Sequence, residues 1–288
     1  MNIHKLVDNL SMGIAGKAVK KKYFSQNVSS RRVKDWIEII KLEIPSIDGE
    51  GHHPIRVEYD GCVNEAGIHI EQWKGKDYPT IIYHHGAAEG SYDFSFKRVL
   101  ARDKNDINAN LIGIQALFNH NNKEFMDSIS DLSNYTVMLA ASVVMVEQII
   151  KNLRQITDSK IIVTGPSLGG FVTNLHFTYF NTADRYVPLL AGARIGDALI
   201  DSAYANVMSE NGKSNSELVK ETLNFNKDFK NRDQKNLFPL LALHDQIVRY
   251  SVQSQDYDIE KMQTIPFGHS TGATRYRLLQ QHILDHIV

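Results

Sequence analysis

Hydrophobic and polar residues follow two different patterns along the chain. In the first part, residues 36–44 and 54–59 are rich in β-branched and aromatic residues, and residues 66–73 alternate between apolar and polar positions. Turn sequences such as Asp-Gly-Glu-Gly at 48–51 separate these segments by short connections. Strands joined in this way pair antiparallel, so this part predicts antiparallel N-terminal strands.

After residue 80 the pattern changes to short, nearly continuous apolar runs. Such runs suit strands that are buried on both faces of a parallel sheet. The runs are residues 80–83, 111–117, 160–164, 186–190 and 237–243. Segments with apolar residues at helical spacing alternate with them, most clearly 134–153 and 273–287. This alternation favours βαβ units and predicts one α/β domain over residues 1–288.

Two segments stand outside this alternation. Residues 197–236 are mostly polar and too poor in apolar residues for a core of their own, so we predict a small helical cap or flap over one end of the sheet. Residues 1–24 predict an N-terminal helical extension, with Leu6, Leu10 and Ile14 at helical spacing before three lysines. We expect this helix to pack on the domain or on a second subunit of a homo-oligomer; an anionic membrane is the alternative.

Composition and charge narrow the classes of function. Apolar residues make up 42% of the sequence, and 32 basic and 33 acidic residues leave a formal net charge of −1. We therefore expect a full core and no nucleic acid partner. The single cysteine excludes a disulfide or a cysteine-rich zinc site within one chain. The sequence shows neither a secretory signal nor an integral membrane segment, so we expect a cytoplasmic protein.

A candidate nucleophile lies in Gly165-Pro166-Ser167-Leu168-Gly169, which matches the pattern G-x-S-x-G. The apolar run before it predicts a strand and residues 171–177 predict a helix, which is the setting of a nucleophile elbow. A serine there takes a strained backbone conformation that exposes its hydroxyl, and the flanking glycines avoid clashes. We predict Ser167 as the nucleophile. The pattern recurs at 268–272 around Ser270, but too few residues follow it to supply an acid and a base.

A general base and an acid are predicted further along the chain. His269 lies in a loop after a possible strand at 263–266, where a near-neutral imidazole can accept the serine proton. Asp245 follows the predicted strand that ends at residue 243, and a carboxylate there can hold the imidazole in its productive tautomer. Other residues stay open as alternatives. The alternative bases are His85, His120 and His244, and the alternative acid is Asp197.

The order Ser167, Asp245, His269 resembles that of the α/β-hydrolase superfamily over about residues 35–288. Val248 also fits the pattern G-x-x-D-x-x-V that often surrounds the acid in that superfamily, although Ala242 replaces its glycine. The resemblance implies an eight-stranded, mostly parallel sheet that is flanked by helices.

Residues 81–87 resemble the strand and His-Gly segment that precede the oxyanion loop in the same superfamily. The resemblance implies two backbone N–H donors to a developing oxyanion, one from Ala87 and one from Leu168. Gly86 allows the chain to turn sharply at this point. Glu89 lies close in sequence without a readable role.

Together these residues predict a serine hydrolase that cleaves a carboxylic ester, or a related acyl bond, through an acyl-serine intermediate. The expected substrate is a small-molecule ester or acyl compound, with no metal and no organic cofactor. A peptidase or thioesterase uses the same residues, and a non-catalytic ligand sensor is the alternative from a different class. A metal-dependent hydrolase lacks a ligand set, because His282 and His286 have no third ligand in a recognisable motif.

Overall fold

The strands form one mixed sheet in the part of the chain that this computed structural model describes, residues 2–47, 49–87, 89 and 91–287. They are β1 (Lys41–Leu42), β2 (Gly51–Tyr59), β3 (Cys62–Gln72), β4 (Thr80–His84), β5 (Asn110–Gln115), β6 (Ile161–Pro166), β7 (Arg185–Leu189), β8 (Leu240–Ala242) and β9 (Gln263–Ile265). Their order in the sheet is β1-β2-β3-β5-β4-β6-β7-β8-β9.

The pairing divides the sheet as the sequence pattern predicts. The neighbours from β1 to β5 pair antiparallel, and those from β5 to β9 pair parallel. The central strands β4, β5 and β6 are buried along their whole length, which explains their continuous apolar sequence. The predicted fold class is confirmed, with nine strands among the described residues instead of eight.

Helices cover the sheet and connect its strands. They are α1 (Ile3–Ala18), α2 (Val33–Ile37), α3 (Phe94–Val99), α4 (Asn122–Ser128), α5 (Leu132–Arg154), α6 (Leu168–Tyr179), α7 (Ile195–Ile200), α8 (Glu210–Ser214), α9 (Ser216–Leu223), α10 (Asn226–Lys230), α11 (Tyr250–Gln253), α12 (His269–Ala273) and α13 (Tyr276–Leu284). Short 3-10 helices lie at Ala101–Asp106, Ala203–Asn206 and Ser254–Asp256.

Helix α5 is long and apolar enough, by length and composition alone, to cross a membrane. In this fold 83% of its most apolar window is buried inside the protein. The apolar sequence of α5 is therefore explained by its position in the core.

The prediction of a strand over residues 36–44 is wrong. Helix α2 occupies its start, and only β1 is extended. Val33, Trp36 and Ile40 are buried, which is the three- and four-residue spacing of a helix face rather than the alternation of a strand. The indole of Trp36 donates a hydrogen bond to Thr136 of α5 over 3.1 Å. The turn predicted at 48–51 includes Asp48, which lies outside the described residues.

The helix predicted over 273–287 is divided at residues 274 and 275 into the end of α12 and the whole of α13. The backbone N–H of Arg275 bonds to the carbonyl of Gly272, which closes α12 with a tight turn. The division places His269 at the first residue of a short separate helix.

The segment 197–236 folds into most of α7 and all of α8, α9 and α10. Val219 and Phe229 are buried in the main core, and the ring of Phe229 packs edge-on against Phe177 of α6 at 5.5 Å. These helices therefore share the core of the domain instead of building one of their own. The role of this segment as a cap over the site stays a prediction.

Candidate active site

Ser167 lies between β6 and α6 with backbone angles φ 53° and ψ −110°. A positive φ is costly for a residue with a side chain, and such strain persists only where the surroundings hold it. Here the N–H of Ser167 donates to the carbonyl of Leu189 over 2.8 Å, which fastens the turn to the neighbouring strand. The strained turn that the sequence predicts at Ser167 is therefore present.

The glycines on both sides of Ser167 allow the elbow to approach β4. A Cβ added to Gly165 would lie 2.3 Å from the carbonyl oxygen of His84, and one added to Gly169 would lie 2.1 Å from the same atom. Both distances are far below van der Waals contact with a rigid backbone group. The G-x-S-x-G spacing is therefore a packing requirement of the turn.

We expect Gly169→Ala to lower the free energy of unfolding by about 1–3 kcal/mol, because the new methyl group would push against the backbone of β4. Gly13→Ala is the matched control, since a Cβ at that position in α1 meets nothing within 4 Å. There the exchange should stabilise the helix by up to about 1 kcal/mol. Urea unfolding of both variants measures the difference, and equal effects would contradict the packing explanation.

The structure brings Ser167, His269 and Asp245 into one chain of contacts. The Oγ of Ser167 lies 3.0 Å from Nε2 of His269, and Nδ1 of His269 lies 2.7 Å from Oδ2 of Asp245. A carboxylate only accepts hydrogen bonds, so Nδ1 carries the proton and Nε2 is left to accept the hydroxyl proton of Ser167. This is the tautomer that a general base needs.

The loop after β8 holds the carboxylate of Asp245 rigidly. Its Oδ1 accepts the backbone N–H groups of Ile247 at 2.7 Å and of Val248 at 2.6 Å, which leaves Oδ2 for the imidazole. Asp245 is 3% exposed. Burial raises the pKa of Asp245, while His269 and the N–H of Val248 oppose the rise.

His269 is also buried, with 8% of its surface exposed. Burial alone acts to lower its pKa, but the charge and the hydrogen bond of Asp245, together with the charge of Asp8, outweigh burial. The pKa of His269 therefore lies above its ordinary value. The surroundings of the imidazole favour its protonated form, which is the form that a base reaches after it takes a proton.

The predicted oxyanion donors lie on the loop after β4 and at the start of α6. Leu168 is the first residue of α6, where backbone N–H groups have no acceptor within the helix. Ala87 lies in the turn that follows Gly86, and a Cβ added to Gly86 would lie 3.7 Å from the carbonyl oxygen of Pro166. The loop after β4 thus runs directly beside the elbow.

Two histidines support this loop from inside the protein. Nδ1 of His84 donates to the carbonyl of His85 at 2.9 Å, and Nδ1 of His85 donates to the carbonyl of Gly86 at 2.7 Å. Nε2 of His85 accepts the N–H of Ala116 at 3.2 Å. Burial lowers the pKa of His85 to about 4, so its ring is neutral near pH 7. Both nitrogens of His85 are thus occupied by the scaffold.

The side chain of Glu89 stabilises the same loop. One carboxylate oxygen accepts the N–H of Gly86 at 2.6 Å and the other accepts the N–H of Ser95 at 2.7 Å. Burial raises the pKa of Glu89, and these donors work against the rise. The side chain joins the loop to α3. The spacing of an acid three residues after Gly86 gave no sign of this role.

The alternative residues left open by the sequence occupy other environments. At the surface, Nδ1 of His120 lies 2.9 Å from Oε2 of Glu124. The ring of His244 stacks on that of His4, with 6.1 Å between the ring centroids. Asp197 lies 3.9 Å from Arg194. Ser270 places its Oγ 3.3 Å from that of Ser11. None of these contacts includes Ser167 or His269.

His282 and His286 do not form a metal site within the described residues. Nε2 of His282 donates to the carbonyl of Phe238 at 3.0 Å, and the ring of His286 stacks on Phe238 at 4.1 Å. No group of three or more metal-ligating side chains is found among the residues with described positions.

Asp8 is a residue of this site that the sequence did not predict. It lies in α1, is fully buried, and accepts the backbone N–H of His269 at 2.8 Å. Its distance of 261 positions from His269 along the chain hides the contact. The signal available in the sequence was a single acid in an N-terminal segment whose other charged residues are basic.

No protein-family model matches the sequence, and no curated protein matches it. Solved structures do. Acetyl xylan esterase 1 from Thermoanaerobacterium sp. is 13% identical with a TM-score of 0.56, and the match covers 92% of this chain and 97% of that one. Est1E from Butyrivibrio proteoclasticus is 15% identical with a TM-score of 0.54, over 81% of this chain and 98% of that one.

An acylaminoacyl peptidase from Pyrococcus horikoshii is 13% identical with a TM-score of 0.54, over 84% of this chain and 41% of that one. The chain therefore spans well under half the length of that peptidase. The shared architecture shows that this chain has the α/β-hydrolase fold, as the resemblance of its motifs predicts.

Proposed function

We propose that this protein is a serine hydrolase that cleaves a carboxylic ester, with Ser167 as nucleophile, His269 as general base and Asp245 as the acid that orients the base. The observation that carries the proposal is the unbroken set of contacts from Ser167 Oγ through the imidazole to Asp245, at 3.0 and 2.7 Å. Its location at a strained strand–helix turn adds support, since such strain is concentrated at functional sites.

In the first half of the proposed reaction, Nε2 of His269 takes the hydroxyl proton while Ser167 Oγ attacks the ester carbonyl carbon. The carbonyl oxygen becomes an oxyanion, and the N–H groups of Ala87 and Leu168 are the proposed donors to it. Collapse of the intermediate breaks the bond to the alcohol oxygen. That oxygen takes the proton from the imidazolium, and the acyl group stays on Ser167.

Water completes the cycle by the same route. His269 takes a proton from water, and the hydroxyl oxygen attacks the acyl carbon. The acid product leaves, and Ser167 Oγ recovers its proton from the imidazolium. Asp245 keeps the ring in position and stabilises its positive charge in both halves without taking up a proton itself.

A peptidase or thioesterase would use the same residues. An ester is the favoured substrate because acetyl xylan esterase 1 is matched over 97% of its length, whereas the peptidase is matched over 41% of its length.

The proposal is tested with p-nitrophenyl esters of graded acyl length together with a fluorophosphonate probe. We expect turnover of at least one ester and one probe molecule bound per chain, located at Ser167 by peptide mass spectrometry. A folded wild-type protein that neither hydrolyses any ester, thioester or peptide tested nor takes up the probe would favour the non-catalytic sensor.

A further inference from the structure

Helix α1 buries a carboxylate against the site. Asp8 is fully buried, and its Oδ2 accepts the N–H of His269 at 2.8 Å and the N–H of Gln246 at 3.1 Å. Its Oδ1 accepts the N–H of Ser270 at 2.9 Å. One carboxylate thus bonds to the segment of the proposed base and to the residue that follows the proposed acid, Asp245.

The rest of the same helix face fits this contact closely. His4 bonds through Nδ1 to Thr271 Oγ1 at 3.0 Å, one turn before Asp8. A Cβ added to Gly268 would lie 2.7 Å from Asp8 Oδ2 and 2.9 Å from the carbonyl oxygen of His4. Only a glycine before His269 therefore leaves room for α1 at this distance.

We propose that Asp8 is a positioning residue for His269, so that α1 belongs to the active site. This inference rests on the proposed function. By bonding to the backbone of both catalytic segments, Asp8 fixes the relative position of the base and the acid. Its loss would loosen the alignment of Nε2 with the serine hydroxyl, on which proton transfer depends.

The charge of Asp8 allows the inference to be tested by the pH dependence of kcat/KM. The charged groups that act on the imidazole are Asp245 from the loop after β8 and Asp8 from α1, while His4 and His244 stack beside the same segment. The charge of Asp8 contributes to the raised pKa of His269. Removing it should lower that pKa, so the acidic limb of kcat/KM should move to lower pH. Loss of an uncharged contact of α1, such as that of Ser11 with Ser270, would not produce this shift.

The test compares Asp8→Asn with Ser11→Ala. The control removes a neighbouring α1 contact, the 3.3 Å approach to Ser270, without changing any charge. We expect Asp8→Asn to lower kcat about 10- to 100-fold, as for the loss of hydrogen bonds to a charged group, and to move the acidic limb downward. We expect Ser11→Ala to leave the limb in place. Each rate is divided by the fraction of protein molecules that the fluorophosphonate labels, so that unfolded protein does not lower the calculated kcat.

The outcomes separate this inference from the proposed function. If the wild type is active and Asp8→Asn keeps its kcat and its pH profile, the positioning role is wrong and the proposed function stands. If the wild type has no activity and takes up no probe, the proposed function fails and the positioning role of Asp8 fails with it. Asp8→Ser, which is smaller and also uncharged, replaces Asp8→Asn if the latter does not fold. An NMR titration of the His269 ring that shows equal pKa values in wild type and variant would overturn the inference.

A second inference comes from the opposite face of α1. Four large apolar residues of this helix are exposed: Ile3 by 66%, Leu6 by 42%, Leu10 by 58% and Ile14 by 59%. They follow one another at three- and four-residue intervals and so form one stripe. The sequence predicts that this helix packs on the domain or on a second subunit, with an anionic membrane as the alternative. The structure packs the helix through Asp8 and its neighbours and leaves the stripe uncovered.

We infer that the stripe binds the surface of an anionic membrane. The free charges of this segment have one sign: Lys5, Lys17 and Lys20 are exposed, and the single acid among residues 2–24, Asp8, is buried. Lys21 is also exposed and pairs with Asp127 at 2.9 Å. An apolar stripe bordered by lysines is typical of helices that lie in the headgroup region of anionic lipids. Binding to a protein partner with an uncharged surface would not explain the exposed lysines beside the stripe.

The test is co-sedimentation with vesicles of phosphatidylcholine alone or mixed with phosphatidylserine. We expect binding to the mixed vesicles, lost in Leu10→Gln/Ile14→Gln and weakened about tenfold or more in Lys17→Gln/Lys20→Gln. Ile156→Gln/Ile259→Gln is the matched control, since both residues are exposed apolar side chains outside α1. Equal binding by the wild type and Leu10→Gln/Ile14→Gln, or a stable dimer in light scattering that this variant abolishes, would overturn the inference.

Discussion

Ser167→Ala is expected to lower kcat for p-nitrophenyl esters about 10⁶-fold, the usual loss when the nucleophile of such a triad is removed. Without Oγ no acyl-serine can form, and His269 has no hydroxyl to deprotonate. The variant should also take up no fluorophosphonate. Alanine has the same backbone restrictions as serine at a positive φ, so the circular dichroism spectrum and the unfolding midpoint should stay close to those of the wild type.

Ser270→Ala is the matched control, because Ser270 lies in the second G-x-S-x-G segment and contacts Ser11 at its hydroxyl. This variant should retain full labelling and most of the activity. Full labelling of Ser167→Ala, with loss of labelling in Ser270→Ala, would transfer the nucleophile to the second segment.

Most of the parallel half of the sheet could be predicted from sequence because the strands β4, β5, β6 and β8 are buried on both faces. Strand β6 is visible as a continuous apolar run, and the glycines at 165 and 169 are visible as a motif of five consecutive residues, although the contact that requires them is with His84 of β4. Patterns of this kind depend on neighbouring positions in the chain. The same holds for Asp245, which lies three residues after the end of the short strand β8.

Residues 36–44 could not be assigned from composition alone. Their β-branched and aromatic side chains favour a strand, but Val33 and Trp36 are buried at helical spacing against α5. Tertiary packing decided between the two structures. The spacing of the buried residues contained the correct information, whereas their residue types did not.

Helix α1 shows a different limit of sequence reasoning. Its apolar stripe points outward, and its one acid points inward. Burying Asp8 is favourable only because three backbone N–H groups from distant segments are present to bond with it. The sequence does not show which backbone N–H groups will bond to a distant side chain, because every residue except proline has one. Contacts between side chains and distant backbone therefore have to be read from the fold.

The second large effect is expected for Asp245→Asn, with kcat lowered on the order of 10⁴-fold. Oδ1 of Asp245 accepts two backbone N–H groups, from Ile247 and Val248. The oxygen of an asparagine must stay at that position, because an amide nitrogen there would face two donors. The NH₂ group is then directed at Nδ1 of His269, which can only accept from it. The ring proton moves to Nε2, and the base can no longer take the proton of Ser167.

Asp197→Asn is the control, since Asp197 was the alternative acid in the sequence, and its ion pair among the residues with described positions is with Arg194, at 3.9 Å. Its activity should fall by less than about tenfold, as is usual for changes at partly exposed ion pairs. Asp245→Asn should also lower the pKa of His269, because Asp245 is the main group that raises it against burial. Residual activity should therefore persist to lower pH than in the wild type. Measurements of kcat/KM against pH for both variants test whether Asp245 is the acid. Equal losses of activity in the two variants would mean that another group holds the tautomer of His269.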